Sequence, residues 1–147
     1  MIRIFSFFFF AFALIAPAAA QGNFPVGKSF KVISISGFDV QTAGITFAVS
    51  AEGQSNRLVA NGSAGCNTWN ATVILREDQI DVMNIATTRK MCPKPRMTTE
   101  DAFIATLKSA QRWRIDDKGR LIIEGEAARL LLTGIGGDKL LAKKPSK

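Results

Sequence analysis

Residues 62–71 read GSAGCNTWNA, which places Cys66 between a glycine and an asparagine, two residue types that favour tight backbone turns. The other cysteine of the chain is Cys92, and histidine is absent. Three roles are open to Cys66 at this point: a nucleophile, a metal ligand, or one half of a disulfide bond. The choice among them depends on the compartment in which the chain folds and on the residues that surround the cysteine.

The first twenty residues are typical of a secretory signal peptide. A short start that carries Arg3 precedes an almost unbroken apolar run over residues 4–16, and the segment ends in three alanines at 18–20. The apolar run is shorter than the roughly 20 residues that a membrane-spanning helix needs. We therefore predict cleavage after Ala20 and a periplasmic or secreted product with no further transmembrane segment. An uncleaved membrane anchor is the alternative.

Export bears on the two cysteines, because cysteine pairs outside the cytosol are most often disulfide-bonded. Without histidine the chain lacks the commonest general base and the commonest imidazole ligand. Two thiolates also fall short of the four ligands of a structural zinc site. We expect a disulfide between Cys66 and Cys92, and we expect neither a metal nor a cofactor. Two free buried thiols, or one reactive thiol, are the alternatives.

Most of the remaining chain alternates between apolar and polar residues, which is the pattern of half-buried strands. Glycine, asparagine and charged residues mark the turns between these segments. The predicted strands cover residues 30–36, 45–49, 57–61, 72–75, 80–85, 112–116, 121–124 and 129–133. We therefore predict an antiparallel meander of about eight strands.

One helix is predicted within the meander. Residues 87–98 contain two prolines and are predicted as a loop. The segment 99–110 that follows has an apolar stripe at helical spacing, with Thr98 as its predicted N-cap and Glu100 in its first turn. Curling of the sheet over this helix would protect the sheet edges. The predicted fold class is α+β, mainly antiparallel β.

The stretch around Cys66 resembles a segment of the META domain family, which includes the HslJ-like heat-shock proteins and related bacterial lipoproteins. The resemblance spans about residues 26–133. It rests on Gly65-Cys66-Asn67 followed by Trp69, on residues 27–32 (GKSFKV) as the opening strand, on residues 88–93 (TRKMCP) as the loop of the second cysteine, and on Met97, Glu100, Phe103 and Leu107 at the helix start. In one respect the chain departs from the family pattern: Met91 directly precedes Cys92, where the family usually places the methionine two residues before the cysteine.

The resemblance implies a small antiparallel domain curled into a half-open barrel with one helix packed on it. It also implies an exported or envelope-associated protein linked to stress tolerance, drug resistance, secretion or virulence, with no agreed enzymatic activity. The predicted organisation is a cleaved signal peptide (1–20), a short lead (21–26), a META-like domain (27–133) and a flexible Gly/Lys-rich tail (134–147).

We expect a monomeric, non-enzymatic protein of the bacterial cell envelope that binds a protein or an envelope component. The alternative is a carrier of lipid or another small apolar ligand in a groove of the curled sheet. The formal net charge of +7 fits an anionic surface as a partner, whereas nucleic acid is not expected for an exported chain. The candidate interaction surface comprises Asn67, Trp69 and Arg89. Each has a structural alternative: a turn for Asn67, the core for Trp69 and a contact with loop backbone for Arg89.

Overall fold

The computed structural model describes residues 23–53, 57–126 and 128–136. The predicted signal peptide and residues 137–147 of the predicted tail lie outside the described residues. Within the described ranges the chain forms nine strands, one 3₁₀ turn and one α-helix. They are β1 (Ser29–Ile35), β2 (Phe38–Asp39), the 3₁₀ turn (Gln41–Ala43), β3 (Thr46–Glu52), β4 (Arg57–Ser63), β5 (Thr68–Arg76), β6 (Gln79–Thr87), α1 (Lys94–Lys108), β7 (Ala110–Ile115), β8 (Leu121–Gly125) and β9 (Arg129–Gly134).

The strands form a closed antiparallel barrel. Each strand from β3 to β9 pairs with the next, β1 pairs with β3, and β1 also pairs with β9, from Phe30 opposite Gly134 to Ile35 opposite Leu130. The two-residue β2 adds to the end of β1. The shortest ladder joins β6 and β7, which are paired at a single position, Gln79 opposite Arg112. The predicted α+β class, with a curled antiparallel sheet and one helix, is confirmed, and the β1–β9 pairing closes the sheet.

The barrel interior is filled by side chains. Alternate residues of the strands point inward, so that on β5 Trp69, Ala71 and Val73 are buried while Thr68 and Asn70 are exposed. The largest fully buried side chains come from six strands, the helix and the segment before β3, and they are Trp69, Phe47, Phe103, Ile45, Ile80, Leu107, Leu121, Ile123, Leu130, Leu132, Val32 and Val49. These side chains belong to one cluster of buried residues and pack against one another inside the barrel.

The helix α1 closes one end of the barrel. In an antiparallel barrel β6 ends and β7 begins at the same end, so the helix that joins them lies there, together with the β4–β5 loop; we call this the helix end. Phe103 and Leu107 of α1 are fully buried in the core, and the ring of Phe103 meets Trp69 edge-on at 5.5 Å between centroids. The start of β1 and the β7–β8 turn lie at the opposite end, which we call the far end.

The helix begins five residues earlier than the sequence pattern predicts. Its N-cap is Pro93, and Pro95 lies in its first turn, where a missing N–H removes no helical hydrogen bond. Thr98 is therefore inside the helix, and its Oγ1 donates a hydrogen bond to the carbonyl of Lys94 at 3.1 Å. The predicted loop is confirmed at residues 88–93, but residues 94–98 are helical and Thr98 is not the cap, because two prolines are compatible with a helix start.

Most of the segment 62–71, which surrounds Cys66, belongs to strands of the barrel wall. β5 begins at Thr68, four residues before the predicted strand, and only residues 64–67 form the loop from β4. Gly62 of β4 lies opposite Trp69 of β5, and a Cβ at Gly62 would collide with the backbone carbonyl of Thr46 on β3. Glycine is therefore required at this position because β3 and β4 approach each other so closely.

Candidate functional site

Cys66 and Cys92 form the predicted disulfide, with their Cα atoms 6.0 Å apart. The bond joins the β4–β5 loop to the segment between β6 and α1, two loops that are 26 positions apart in sequence and adjacent at the helix end. Within the described ranges no cysteine is free. Neither cysteine is therefore available there as a nucleophile or as a thiolate ligand in this state.

Asn67 connects three segments through its buried amide. Residues 64–67 form a tight turn that positions this side chain. Gly65 has a φ of +103°, and the backbone N–H of Ala64 donates to the carbonyl of Asn67 at 2.7 Å. The Oδ1 of Asn67 accepts hydrogen bonds from the backbone N–H of Lys90 at 2.7 Å and from the Oγ1 of Thr88 at 2.9 Å. These contacts fix the segment after β6 against the β4–β5 loop, beside the disulfide.

Glu100 of α1 binds Asn67 as well and completes the hydrogen-bond network. Its Oε1 accepts a hydrogen bond from Nδ2 of Asn67 and its Oε2 accepts one from the backbone N–H of Asn67, both at 2.8 Å. Glu100 is 5% exposed and Asn67 is 3% exposed, so this pair lies inside the protein. A buried carboxyl group is tolerated there because hydrogen bonds satisfy both of its oxygens.

The role of Glu100 was not predicted, although the sequence contains a signal for it. Glu100, Phe103 and Leu107 are spaced by three and four residues, so Glu100 lies on the same helical stripe as the two core side chains. A glutamate on a buried stripe needs a polar partner inside the protein. That partner is 33 positions away in sequence, so spacing along the chain gave no indication of its identity.

The predicted interaction surface of Asn67, Trp69 and Arg89 needs correction. Trp69 is 2% exposed, stacks on Phe47 and donates from Nε1 to the carbonyl of Thr46 at 3.1 Å. Asn67 is equally buried, so neither side chain can contact a partner at the surface in this conformation. Arg89 alone of the three is exposed. Trp69 takes the structural alternative, the core; Asn67 is likewise structural, but it acts through a buried side-chain network.

The exposed feature at this end is the segment 89–96, which covers the end of the loop after β6 and the first turn of α1; we call it the basic loop. It carries four cations, Arg89, Lys90, Lys94 and Arg96, all exposed, and Met91, which is 93% exposed. None of the four cations forms an ion pair with a described residue. Among the other described cations, four arginines have a carboxylate partner, namely Arg57 with Glu52, Arg76 with Asp81, Arg114 with Glu124 and Arg120 with Asp116. The remaining lysines and arginines in the described ranges form no ion pair either, but they are scattered along the chain, whereas the basic loop holds its four within eight residues.

No group of three or more His, Cys, Asp or Glu side chains in the described ranges could hold a metal ion. No helix in those ranges is long and apolar enough to cross a membrane. Among the described residues, buried side chains fill the barrel interior, which is the space that a groove for an apolar ligand would need.

Comparison with known proteins agrees with this architecture. No curated protein matches the chain. An NMR structure of a protein from Burkholderia xenovorans has the same fold at 17% identity, with a TM-score of 0.61 over 76% of this chain and 84% of that one. A second NMR structure is 21% identical, with a TM-score of 0.53 over 71% of this chain and 86% of the other. The model of the META domain matches residues 24–135, and the chain therefore belongs to the META domain family.

Proposed function

We propose that this META-domain protein is exported across the bacterial inner membrane and binds a component of the cell envelope through its basic loop, without catalysing a reaction. The observation that carries the proposal is the contrast at the helix end. A disulfide and a buried hydrogen-bond network hold the backbone of the loop in place, while the four cations and Met91 project from it without partners among the described residues.

The absence of catalysis in this proposal is supported by the two cysteines and Glu100, whose reactive groups are engaged in bonds within the protein. The two cysteines are bonded to each other, and the carboxyl of Glu100 is occupied by Asn67. A catalytic nucleophile or general base has to reach a substrate, whereas these groups are buried or already paired. Their arrangement supports a structural role.

Export is supported by the signal-like first twenty residues and by the disulfide, since such bonds persist mainly in oxidising compartments. The resemblance to HslJ-like proteins suggests stress tolerance, drug resistance or secretion as the setting, and we include that setting in the proposal. The unpaired cations favour an acidic partner over a basic one.

The proposal can be tested with the full chain expressed in a Gram-negative host. We expect the protein in the periplasmic or secreted fraction, with a new N-terminus at Gln21 by mass spectrometry. A photo-crosslinking residue in place of Arg89 should capture an envelope component, and the same residue in place of Lys118 at the far end should capture much less. A protein that stays in the cytosol with its first twenty residues attached would contradict the proposal, and so would equal capture from both positions.

A further inference from the structure

We propose that the partner of the basic loop is the anionic face of a phospholipid bilayer, with the cations on the headgroups and Met91 in the interfacial layer. The inference rests on the proposed function because it concerns the same surface. It goes further by naming the chemistry of the partner: a negatively charged plane with an apolar layer immediately behind it.

The first support is the density of unpaired charge. Four cations lie within eight consecutive residues, and this segment contains no carboxylate. The nearest acidic residues along the chain are Glu100, whose carboxyl is buried against Asn67, and the exposed Asp101 in the next turns of α1. Positive charge at an exposed site is attracted to anionic lipid headgroups, and each lysine or arginine adds to that attraction.

The second support is Met91. At 93% exposure it is the most exposed of the large apolar side chains in the described ranges, and cations lie on both sides of it in the chain. Water is an unfavourable environment for an exposed thioether chain, and the interfacial layer of a bilayer would bury it. A soluble anion such as free phosphate would use the cations but would leave Met91 in water. The combination therefore favours a lipid surface.

The third support is the rigidity of the loop backbone. Cys92 is tied to Cys66, and the N–H of Lys90 is held by Oδ1 of Asn67 at 2.7 Å, so Met91 lies between two fixed points. Binding by a segment whose backbone is already ordered loses less conformational entropy than binding by a free loop. These backbone contacts do not involve the side chains of Lys90 or Met91, which are left to face a partner.

The test uses the mature chain, residues 21–147, in sedimentation with lipid vesicles. We expect binding to vesicles of equal parts phosphatidylglycerol and phosphatidylcholine, and little binding to vesicles of phosphatidylcholine alone. Higher salt should weaken the binding, because exposed charges are screened over a Debye length of about 8 Å at 0.15 M salt. Failure to bind the anionic vesicles would overturn the inference, while periplasmic location and crosslinking at Arg89 would still stand as evidence for the proposed function.

Two double variants with the same change in net charge show which end of the barrel contacts the vesicle. Lys90→Glu with Lys94→Glu should weaken binding at least about tenfold, because two attractive charges become repulsive. Lys28→Glu with Lys118→Glu changes the net charge equally at the far end and should have a much smaller effect. Equal loss in both pairs would show that only the net charge matters and would overturn the proposed contact. The lysines at 139, 143, 144 and 147 remain in every variant, so their contribution is common to all.

The variant Met91→Ser distinguishes a lipid bilayer from a soluble anion as the partner. We expect it to weaken vesicle binding several-fold, while Ile135→Ser, which changes another exposed apolar residue near the far end, should not. Unchanged binding by Met91→Ser, together with full competition by inorganic pyrophosphate, would identify a soluble anion as the partner and reject the bilayer. Circular dichroism of each variant shows whether it is folded, and both substituted side chains are exposed, so folding should be preserved.

Discussion

Asn67 connects the β4–β5 loop, the segment after β6 and the helix α1. A single amide achieves this because it offers both acceptor and donor groups, and its own backbone N–H adds another donor. Every one of these groups is used: Lys90 and Thr88 donate to the oxygen, while Glu100 accepts from the side-chain and backbone nitrogens. The short Gly-Cys-Asn sequence therefore has a tertiary role: the cysteine and the asparagine are both bonded to the segment between β6 and α1, and the asparagine is also bonded to the helix.

At the residue scale we predict that Glu100→Ala lowers the free energy of unfolding by about 3 kcal/mol, because two buried N–H donors of Asn67 lose their acceptor. Glu100→Gln should cost less, since it retains one acceptor oxygen. Urea unfolding followed by circular dichroism measures both. Asp101→Ala is the control: this neighbouring acid is exposed, and its removal should change stability by about 0.5 kcal/mol or less. Equal effects of the Glu100 and Asp101 variants would contradict the buried network.

At the scale of elements, the β7–β8 turn is organised by one carboxylate. Oδ1 of Asp116 accepts hydrogen bonds from the N–H of Lys118 at 3.0 Å and of Arg120 at 2.8 Å, and Oδ2 pairs with the guanidinium of Arg120 at 2.7 Å. Burial raises the pKa of Asp116, but the hydrogen bonds from Arg120 and Lys118 outweigh burial and leave the pKa below its ordinary value. Ionised Asp116 therefore stabilises the turn.

The lowered pKa of Asp116 predicts a pH dependence of stability. The stabilisation is fully present above the pKa of the unfolded chain, about 3.9, and is lost as the pH falls through the lower pKa of the folded state. Asp116→Asn should therefore be less stable than the parent at pH 6, and the difference should shrink between about pH 4 and pH 2. Thermal unfolding across this range measures it. Asp117→Asn, which changes an exposed neighbour, should show no such trend, and a constant difference for Asp116→Asn would refute the argument.

For the whole molecule, the disulfide is the covalent link across the helix end. In the chain-entropy model, a closed loop of 26 residues stabilises the folded state by about 3.5 kcal/mol relative to the reduced chain. Cys66→Ser with Cys92→Ser should lower the thermal midpoint markedly and still fold, because the hydrogen bonds of Asn67 with Lys90 and Thr88 join the same segments. Circular dichroism with and without reductant measures this. The double variant should not respond to reductant, and a parent protein equally indifferent to it would contradict a stabilising bond.

Local sequence patterns were sufficient for much of this fold. Apolar and polar residues alternate along most strands, and short apolar runs mark β8 and β9, so the eight predicted strands each overlap a strand of the structure, although the ends shift by up to four residues. The helical stripe of Phe103 and Leu107 was also evident from spacing alone, and an exported chain with one cysteine pair pointed to the Cys66–Cys92 bond. In each of these cases the information lies within a few residues or in the composition of the chain.

Long-range packing determined the rest. Closure of the barrel depends on β1 meeting β9 about one hundred residues later, which local alternation cannot reveal. The helix start at Lys94 was hidden by two prolines that are compatible with a first turn. Asn67 and Glu100 are polar residues that would be assigned to the surface on composition, and they are buried because each satisfies the other across 33 positions. Asn67 also fixes the backbone at Lys90, so the interaction surface that we propose comprises Arg89, its neighbouring cations and Met91, while Asn67 and Trp69 lie in the interior.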